Sequence, residues 1–421
     1  MTESIHKKRL FTASCIALVS TAMTFSIRAN LIGPLGNEFS INPYDMGIIV
    51  STAFWGFTLS MIIGGALCDK LGMRRLIFFA FAGHISGILL TALSSGFWTL
   101  FSSTLLVGIG NGFVEAACNP LVSSMYPDQK TKKLNQFHVW FPGGIVIGGL
   151  AAYGLDALKA GWQIQMLAIL IPTILYGFLF FRQKFPPTER VTKGVSYRDM
   201  LKACLSPLFI SMALLMMLTA CTELGTNQWI VELLGSIGVP AILLLVFING
   251  LMAIGRSFAG TIESRLSPAG MLLFSAVFSA AGLFLLSQTQ GYASFLAAAI
   301  FAVGICYFWP TMLGFVSEYI PQTGAMGLSI MGAAGMIFVS FAMPYIGGFY
   351  EQQQVLNLPE GYDLESLKNA TLEPAHSQWT EVKLKAGSET LRYISAIPAF
   401  LSLAFFFLYL KMKKINLPEH V

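Results

Sequence analysis

Residues 104–127 read TLLVGIGNGFVEAACNPLVSSMYP and decide which kind of fold the chain can adopt. As a helix, this apolar run is long enough to cross the roughly 30 Å hydrocarbon core of a bilayer. It nevertheless carries Asn111, Glu115 and Asn119, which are spaced four residues apart and therefore share one helix face. A carboxyl group inside a membrane helix is costly, so it either bonds a neighbouring helix for stability or serves a function. The two flanking amides favour the functional interpretation.

The whole chain follows the pattern of this stretch. Charged residues make up only 11% of the 421 residues, against about 25% in soluble domains, and they cluster between apolar runs. The sequence therefore predicts an all-α polytopic membrane protein with twelve transmembrane helices. The expected spans are 10–35, 45–68, 75–94, 98–125, 134–154, 162–182, 206–234, 238–261, 270–288, 292–318, 325–350 and 389–411.

The distribution of basic residues predicts the orientation of these spans. Most of the 26 lysines and arginines fall in segments on the same side as both termini. Because loops rich in lysine and arginine stay in the cytoplasm, the N- and C-termini are expected to be cytoplasmic. The opposite side holds few basic residues, namely Lys159, Lys368, Lys383 and Lys385.

The spans divide into two halves that resemble each other. Residues 1–182 form an N-terminal six-helix half, 183–205 a basic cytoplasmic linker, and 206–421 a C-terminal six-helix half with an external loop at 351–388. The tripeptide Val-Gly-Ile recurs at 107–109 in the fourth span and at 303–305 in the tenth. Such duplication is typical of transporters whose halves rock about a central binding site.

Residues 65–75, GALCDKLGMRR, resemble the loop between helices 2 and 3 of major facilitator superfamily transporters. The resemblance implies a gating role on the cytoplasmic side. For the two arginines, pairing with acidic residues and simply holding the loop inside are equally open. Arg256 near the end of span 8 is expected to gate or to snorkel. The gating candidates are Gly65, Asp69, Lys70, Gly72, Arg74, Arg75 and Arg256.

Within that superfamily the chain resembles the fucose–proton symporter family of sugar transporters. The resemblance rests on GNGFVEAACNP (110–120), KLNQFHVWFPGGIVIGG (133–149) and TELGTNQWI (222–230). It implies that Glu115 takes part in proton coupling or sugar binding. One departure lies in SIRANLIGP (26–34), where Asn30 stands in place of the family's aspartate and Arg28 is added. An arginine in helix 1 instead resembles the organic-anion and organophosphate branches, where it holds a carboxylate or phosphate.

In the superfamily, helices 1, 4, 7 and 10 line the central cavity, and span 5 can contribute to it. The mixture of amides, carboxylates and indoles that this placement implies suits a sugar, because amides and acids bond hydroxyls and an indole packs on a sugar ring. The implied substrate-binding residues are Arg28, Asn30, Asn111, Glu115, Asn119, Gln136, Glu223, Asn227, Gln228, Trp229, Tyr307 and Trp309.

Glu115 and Glu223 are the candidates for proton coupling. Arg28 lies too deep to reach water easily, so we expect a carboxylate partner, first Glu115 and then Glu223. A buried carboxyl group without a charge partner can hold a proton at neutral pH, whereas one held against an arginine stays ionised. Our hypothesis is that Glu115 alternates between an ion pair and a protonated, substrate-bound form.

These observations predict a secondary active transporter of a small polar solute, most simply a sugar, that works by alternating access with proton coupling. One alternative is an organic-anion or sugar-phosphate transporter with Arg28 as anion clamp; another is a transport-inactive membrane sensor or scaffold. The chain shows no P-loop, nucleophile elbow, HExxH or CxxC motif, so enzymatic activity, cofactors and metals are not expected.

The expected partners follow from the same observations. They are the small-molecule substrate, a proton or a sodium ion, and the lipid bilayer of a plasma or bacterial inner membrane. The chain is expected to act as a monomer. Its basic residues lie in loops between apolar spans, so nucleic acid is not expected as a partner.

Overall fold

The computed structural model describes residues 5–126, 130–186, 197–235, 240–258, 266–368 and 374–414. Its regular elements in these ranges are helices. Eleven of them are long and apolar enough to cross a membrane, and the shorter apolar helix Ala241–Ser257 makes a twelfth span. The twelve-span, all-α expectation is confirmed, and the protein is a multi-pass membrane protein.

The first six spans form the N-terminal half. Their bounds are Lys7–Glu38 (span 1), Pro43–Leu71 (span 2), Met73–Ala92 (span 3), Phe97–Met125 (span 4), Lys130–His138 with Trp140–Ala157 (span 5), and Trp162–Ala168 with Leu170–Phe180 (span 6). Spans 5 and 6 are each interrupted at a single residue. Arg9 near the start of span 1 donates to the carbonyls of Phe178 and Leu179 near the end of span 6. The N-terminus therefore lies on the side where the half ends, which we call the linker side.

The last six spans form the C-terminal half. Their bounds are Pro207–Ala220, a π turn Cys221–Gly225 and Thr226–Leu234 (span 7), Ala241–Ser257 (span 8), Pro268–Leu286 (span 9), Ala293–Ile305 with Phe308–Tyr319 (span 10), Gly324–Leu356 (span 11), and Ala375–Lys414 (span 12). The side where span 11 ends and residues 357–368 lie is called the loop side. Part of the expected loop 351–388 is helical, because span 11 extends to Leu356 and span 12 begins at Ala375. The linker likewise contains a short helix, Tyr197–Cys204.

Several spans begin with the same local signal, a capping side chain followed by proline. Asn42 caps span 2 by accepting a hydrogen bond from the Asp45 N–H at 2.7 Å. Proline at the next position lacks an N–H that would have no partner in the first helical turn. The capping pairs are Asn42-Pro43, Ser206-Pro207 and Ser267-Pro268.

Glycines let spans 2 and 4 pack backbone against backbone. A Cβ atom added to Gly108 would lie 2.7 Å from Ala53 Cα, and one added to Gly56 would lie 2.5 Å from the Leu105 carbonyl oxygen. Real Cβ atoms do not approach so closely, so only glycine permits this spacing. In a membrane the lipid is as apolar as the helices, so no hydrophobic effect drives the helices together. Close approach through small residues drives their packing instead.

We expect Gly108→Ala to lower the stability of the N-terminal half by about 1–3 kcal/mol, because the added methyl group must push span 4 away from span 2. Thermal unfolding in detergent measures this change. Gly314→Ala is the matched control, since among the described atoms none lies within 4 Å of its added Cβ. Equal melting temperatures for the two variants would contradict the close-packing argument.

The two halves meet closely on the loop side. A Cβ atom at Gly47 of span 2 would lie 2.5 Å from the Met343 carbonyl oxygen of span 11, and Gly347 packs on the Pro43 carbonyl. Gly33 of span 1 packs in the same way against the Glu232 carboxylate of span 7. The two halves are therefore in close contact at these points on the loop side.

Candidate functional site

Arg28 lies at the interface of the two halves and is buried, with 8% of its surface exposed. Its Nε donates to Gln228 Oε1 at 2.8 Å, and Gln228 Nε2 donates to the Phe25 carbonyl at 3.2 Å. The guanidinium carbon lies 4.9 Å from the centre of the Phe25 ring and 5.8 Å from that of Phe54. Arg28 Nη2 is buried without a hydrogen-bond partner. The site thus contains a buried cation, and no carboxylate of the described chain pairs with it.

The expected ion pair between Arg28 and Glu115 is not formed. Glu115 Oε2 instead accepts a hydrogen bond from Asn119 Nδ2 at 2.7 Å, within the same helix. Asn119 Oδ1 in turn accepts from His138 Nε2 at 3.0 Å. The chain Glu115–Asn119–His138 therefore connects span 4 with span 5. A partner one helical turn away satisfies the acid locally, so it has no need to reach span 1.

From span 5, His138 is expected to make a structural hydrogen bond rather than to relay protons, and the structure places it beside Asn119. It is the last residue of the helix Lys130–His138, directly before the interruption of span 5. The interruption turns the side chain toward span 4. The sequence signal was a histidine just before the Trp-Phe-Pro-Gly-Gly run at 140–144, where a helix is prone to break.

Glu223 lies in the π turn of span 7 and pairs with Arg256 of span 8. Arg256 Nη2 donates to Glu223 Oε1 at 3.0 Å, and Arg256 Nε donates to the Cys306 carbonyl of span 10 at 3.1 Å. Beside this pair, the Tyr307 hydroxyl donates to the Gly255 carbonyl at 3.1 Å. Arg256 therefore ties spans 7, 8 and 10 together.

The turn that follows in span 7 presents buried polar side chains with unused hydrogen-bonding atoms. Asn227 has neither its Oδ1 nor its Nδ2 bonded, and Thr226 Oγ1 and Trp229 Nε1 are also without partners. Glu223 Oε2 is likewise buried without a hydrogen-bond partner. Buried polar atoms are nearly always satisfied in folded proteins, so each such atom calls for a partner. These unpartnered atoms lie in the same segment of span 7 as Gln228, which bonds Arg28.

Two predicted residues lie in separate networks. Asn111 Oδ1 accepts from His84 Nε2 at 2.8 Å and its Nδ2 donates to Thr24 at 3.0 Å, so its side chain is fully used within the N-terminal half. Asn30 donates to Asp156 at 2.9 Å and to Gln165 at 3.0 Å. Both side chains bond partners within the N-terminal half, and neither contacts Arg28.

Gln136 and Trp309 also lie apart from Arg28. Gln136 is exposed and accepts from Lys133 at 3.0 Å, three residues before it. Trp309 is partly buried, with its ring 3.4 Å from a Cβ placed at Gly335 and 3.6 Å from one placed at Gly332 of span 11. The structure therefore gives Trp309 a packing contact between spans 10 and 11.

The gating candidates lie on the linker side. Gly72 joins spans 2 and 3 at φ +80°, a left-handed conformation that favours glycine, and its N–H donates to the Cys68 carbonyl at 2.9 Å. Arg74 and Arg75 are exposed. The side chains of Asp69 and Lys70 lie outside the described residues. Gly65 meets no described atom within 4 Å of an added Cβ, so close helix approach is not observed there.

The comparisons with known proteins agree with this architecture. Residues 13–348 match the family description Major Facilitator Superfamily. The chain is 26% identical over 163 residues to a hexuronate transporter of Bacillus subtilis, covering 38% of each protein. It is 24% identical over 198 residues to a D-galactonate transporter of Escherichia coli, covering 46% of this chain and 45% of that protein. The matched segments thus span less than half the length of these relatives.

Solved structures with the same fold cover nearly the whole chain. A bacterial homologue of the human lysosomal transporter Spinster, in an inward-facing and occupied conformation, superposes with a TM-score of 0.78 at 14% identity, covering 97% of both chains. A D-xylose–proton symporter superposes with a TM-score of 0.70 at 14% identity, covering 92% of this chain and 97% of that one.

The proteins found by these comparisons are transporters, not enzymes. The finer resemblance to fucose–proton symporters stays a prediction. With the family match covering residues 13–348 of 421, the chain belongs to the major facilitator superfamily.

Proposed function

We propose that this protein transports a polyhydroxylated organic anion, of the sugar-acid class, by alternating access, with Arg28 as the counter-ion of the substrate carboxylate. The observation that carries the proposal is the state of Arg28, which is buried at the interface of the halves with Nη2 unbonded and without a carboxylate beside it. We take this alternative over a neutral sugar, because a neutral ligand leaves the buried charge uncompensated.

The energetics of buried charge support this choice. A cation taken out of water is strongly disfavoured unless it is paired, and in membrane spans such groups mark substrate pathways. The two phenylalanine rings and the single bond to Gln228 compensate Arg28 only in part. A guanidinium also presents parallel N–H groups that match a carboxylate in two-point geometry. A bound carboxylate would complete the pairing that the chain leaves open.

The polar atoms of span 7 support the hydroxylated part of the ligand. The Asn227 amide can both donate to and accept from a hydroxyl group, and neither of its atoms is engaged. Asn227 directly precedes Gln228, the residue that holds Arg28. The curated relatives include transporters of hexuronate and D-galactonate, both of which are hydroxylated carboxylates.

Proton coupling, as part of the same proposal, is assigned to Glu115. Glu223 is held by Arg256 and would lose that pairing on protonation, whereas Glu115 bonds only the neutral Asn119 side chain among the described residues. Protonation of Glu115 would therefore break no ion pair with an arginine or lysine of the described residues. His138, partly exposed at the other end of this chain of hydrogen bonds, lies between Glu115 and the linker side.

The orientation in the membrane is assigned from charge. The linker side carries most of the basic residues, so we assign it to the cytoplasm and the loop side to the exterior. The close contacts between the halves on the loop side then favour a conformation closed to the outside.

A pair of ligands that differ at one carbon tests the substrate class. D-galactonate and galactitol share the hydroxyl groups at C2–C6, but C1 is a carboxylate in galactonate and a hydroxymethyl group in galactitol. We expect galactonate to raise the melting temperature of the purified protein in a concentration-dependent way, because a ligand that binds only the folded state stabilises it. Galactitol at the same concentrations should have no effect.

The same measurement with D-glucuronate and its neutral counterpart, D-glucose, extends the comparison to hexuronates. Equal stabilisation by the charged and neutral members of both pairs would contradict an anion site and return the protein to the neutral-sugar class.

A further inference from the structure

A cavity of about 90 Å³ lies on the loop side between the two halves. We call it the vestibule. Spans 1, 2, 7, 11 and 12 and the short helix Leu364–Lys368 form its walls. Its charged and aromatic lining consists of Trp229, Glu232, Glu351, Lys368, Trp379 and Lys383.

The vestibule adjoins the Arg28 site. Arg28 lines a smaller cavity of about 30 Å³ inside the N-terminal half, and Ile32 and Met46 line both cavities. The two spaces therefore share two apolar side chains. A solute that enters from the loop side would meet the vestibule before it reaches Arg28.

Two of the vestibule charges are already paired and two are not. Lys383 Nζ lies 2.9 Å from Glu232 Oε1, and this carboxylate also packs on Gly33 of the other half. Lys368 and Glu351 have no ion pair or hydrogen bond from their side chains within the described residues, and both are only partly exposed. Among the described residues, the vestibule thus offers one cation and one carboxylate that have no ion-pair partner.

This lining fits a ligand with a negative group and several hydroxyls. Lys368 can bind a carboxylate, Glu351 can accept hydrogen bonds from hydroxyl groups, and the Trp379 ring gives an apolar face for the C–H groups of the carbon chain. A purely anionic ligand would be repelled by Glu351, and a neutral polyol would leave Lys368 unused. A sugar acid satisfies both groups.

We propose that the vestibule is a capture site that holds the anionic solute before it passes to Arg28. This inference rests on the proposed function, because it assigns the same sugar-acid class to a second place on the path. Partial exposure makes the site weaker than the buried one, since solvent screens exposed charges.

The test uses D-galactonate as probe and saturation-transfer NMR as readout, because this method detects weak binding. In the full-length Arg28→Gln protein the deep site is disabled, and we expect residual, weak binding of galactonate to remain. Adding Lys368→Gln should weaken this residual binding by about two- to five-fold, as expected for loss of a partly exposed charge contact.

Lys385→Gln is the matched control in the same background. Lys385 also follows the loop on the outer part of span 12, but it is exposed, pairs with Glu381 at 2.8 Å and does not line the vestibule. Its replacement should leave residual binding unchanged. Trp379→Leu, a second vestibule change that alters no charge, should weaken it as Lys368→Gln does.

Three outcomes separate the two proposals. If wild-type protein binds galactonate but the Arg28→Gln protein shows no residual binding, the vestibule proposal is overturned and the proposed function stands. Residual binding that is equally strong with Lys368→Gln and with Lys385→Gln also overturns the vestibule site alone. If the wild-type protein itself fails to bind galactonate, the proposed function falls, and the capture site falls with it.

Discussion

Replacing Arg28 with glutamine is expected to lower the affinity of the wild-type site for D-galactonate at least about 30-fold, which corresponds to roughly 2 kcal/mol of binding free energy. The expectation follows from the surroundings of Arg28. Its Nη2 is buried and unbonded, and no protein carboxylate in the described chain competes for it. A desolvated charge pair contributes much more than an exposed one. Isothermal titration calorimetry of purified protein measures the change.

Two controls show whether the loss comes from the charge itself. Arg28→Lys keeps a cation but removes the planar pair of donors, so affinity should fall to an intermediate value. Arg392→Gln removes a basic side chain at an exposed position, where Arg392 pairs only loosely with Glu389 at 3.8 Å, and should leave binding unchanged. Retained galactonate affinity in a folded Arg28→Gln protein would rule out the anion clamp.

The sequence could predict the fold because its signals are local. A run of about twenty apolar residues specifies a membrane helix regardless of the rest of the chain, and a cap followed by proline marks where it begins. Asn42 and Ser206 act in this way in the structure. The 65–75 motif indicates the superfamily, and the repeat of Val-Gly-Ile indicates its two halves, from the sequence alone.

The candidate site was harder to predict because its contacts join distant spans. Spacing placed Glu115 and Asn119 on one face, and the structure bonds them to each other. Residue spacing does not show that Gln228 accepts a hydrogen bond from Arg28, or that Arg256 forms an ion pair with Glu223. The π turn at Cys221–Gly225 shifts the helix register, so the positions of polar residues after it do not follow from a regular 3.6-residue period.

Asn30 shows the opposite case, in which a resemblance suggested a role that the geometry does not support. It stands where the resembled family has an aspartate, but its amide donates to Asp156 and Gln165 within the N-terminal half. Its neighbour two residues earlier, Arg28, points to the interface instead. The sequence named both Arg28 and Asn30 as candidates, and the structure bonds Arg28 to Gln228 of the other half and Asn30 to partners in its own half.

Glu115→Gln is expected to abolish accumulation driven by a pH gradient while leaving exchange of substrate across the membrane intact. Glutamine has the same shape and can still accept the hydrogen bond from Asn119 Nδ2, so the contacts of span 4 should persist. It cannot bind or release a proton. Because loading and unloading of substrate do not require that proton, counterflow at equal pH should continue.

Proteoliposomes with a defined gradient make the prediction quantitative. Symport of one proton with a monovalent anion is electroneutral, so a gradient of one pH unit supports up to about ten-fold accumulation of galactonate, and an imposed membrane potential adds nothing. In Glu115→Gln vesicles the accumulation ratio should fall to about one. Glu381→Gln, which removes an exposed carboxylate far from the site, should accumulate like the wild type.

Glu223, the other candidate for proton coupling, is needed to interpret a loss of accumulation in Glu115→Gln. Glu223→Gln removes the partner of Arg256 and should impair binding and exchange together, because it leaves a largely buried cation without its ion pair. Proton coupling at Glu115 alone therefore requires that the two variants differ in counterflow, with Glu115→Gln active and Glu223→Gln impaired. If Glu115→Gln vesicles still accumulate galactonate in a pH gradient, the proton is carried elsewhere. If a sodium gradient drives galactonate accumulation in wild-type vesicles without a pH gradient, the coupling ion is sodium.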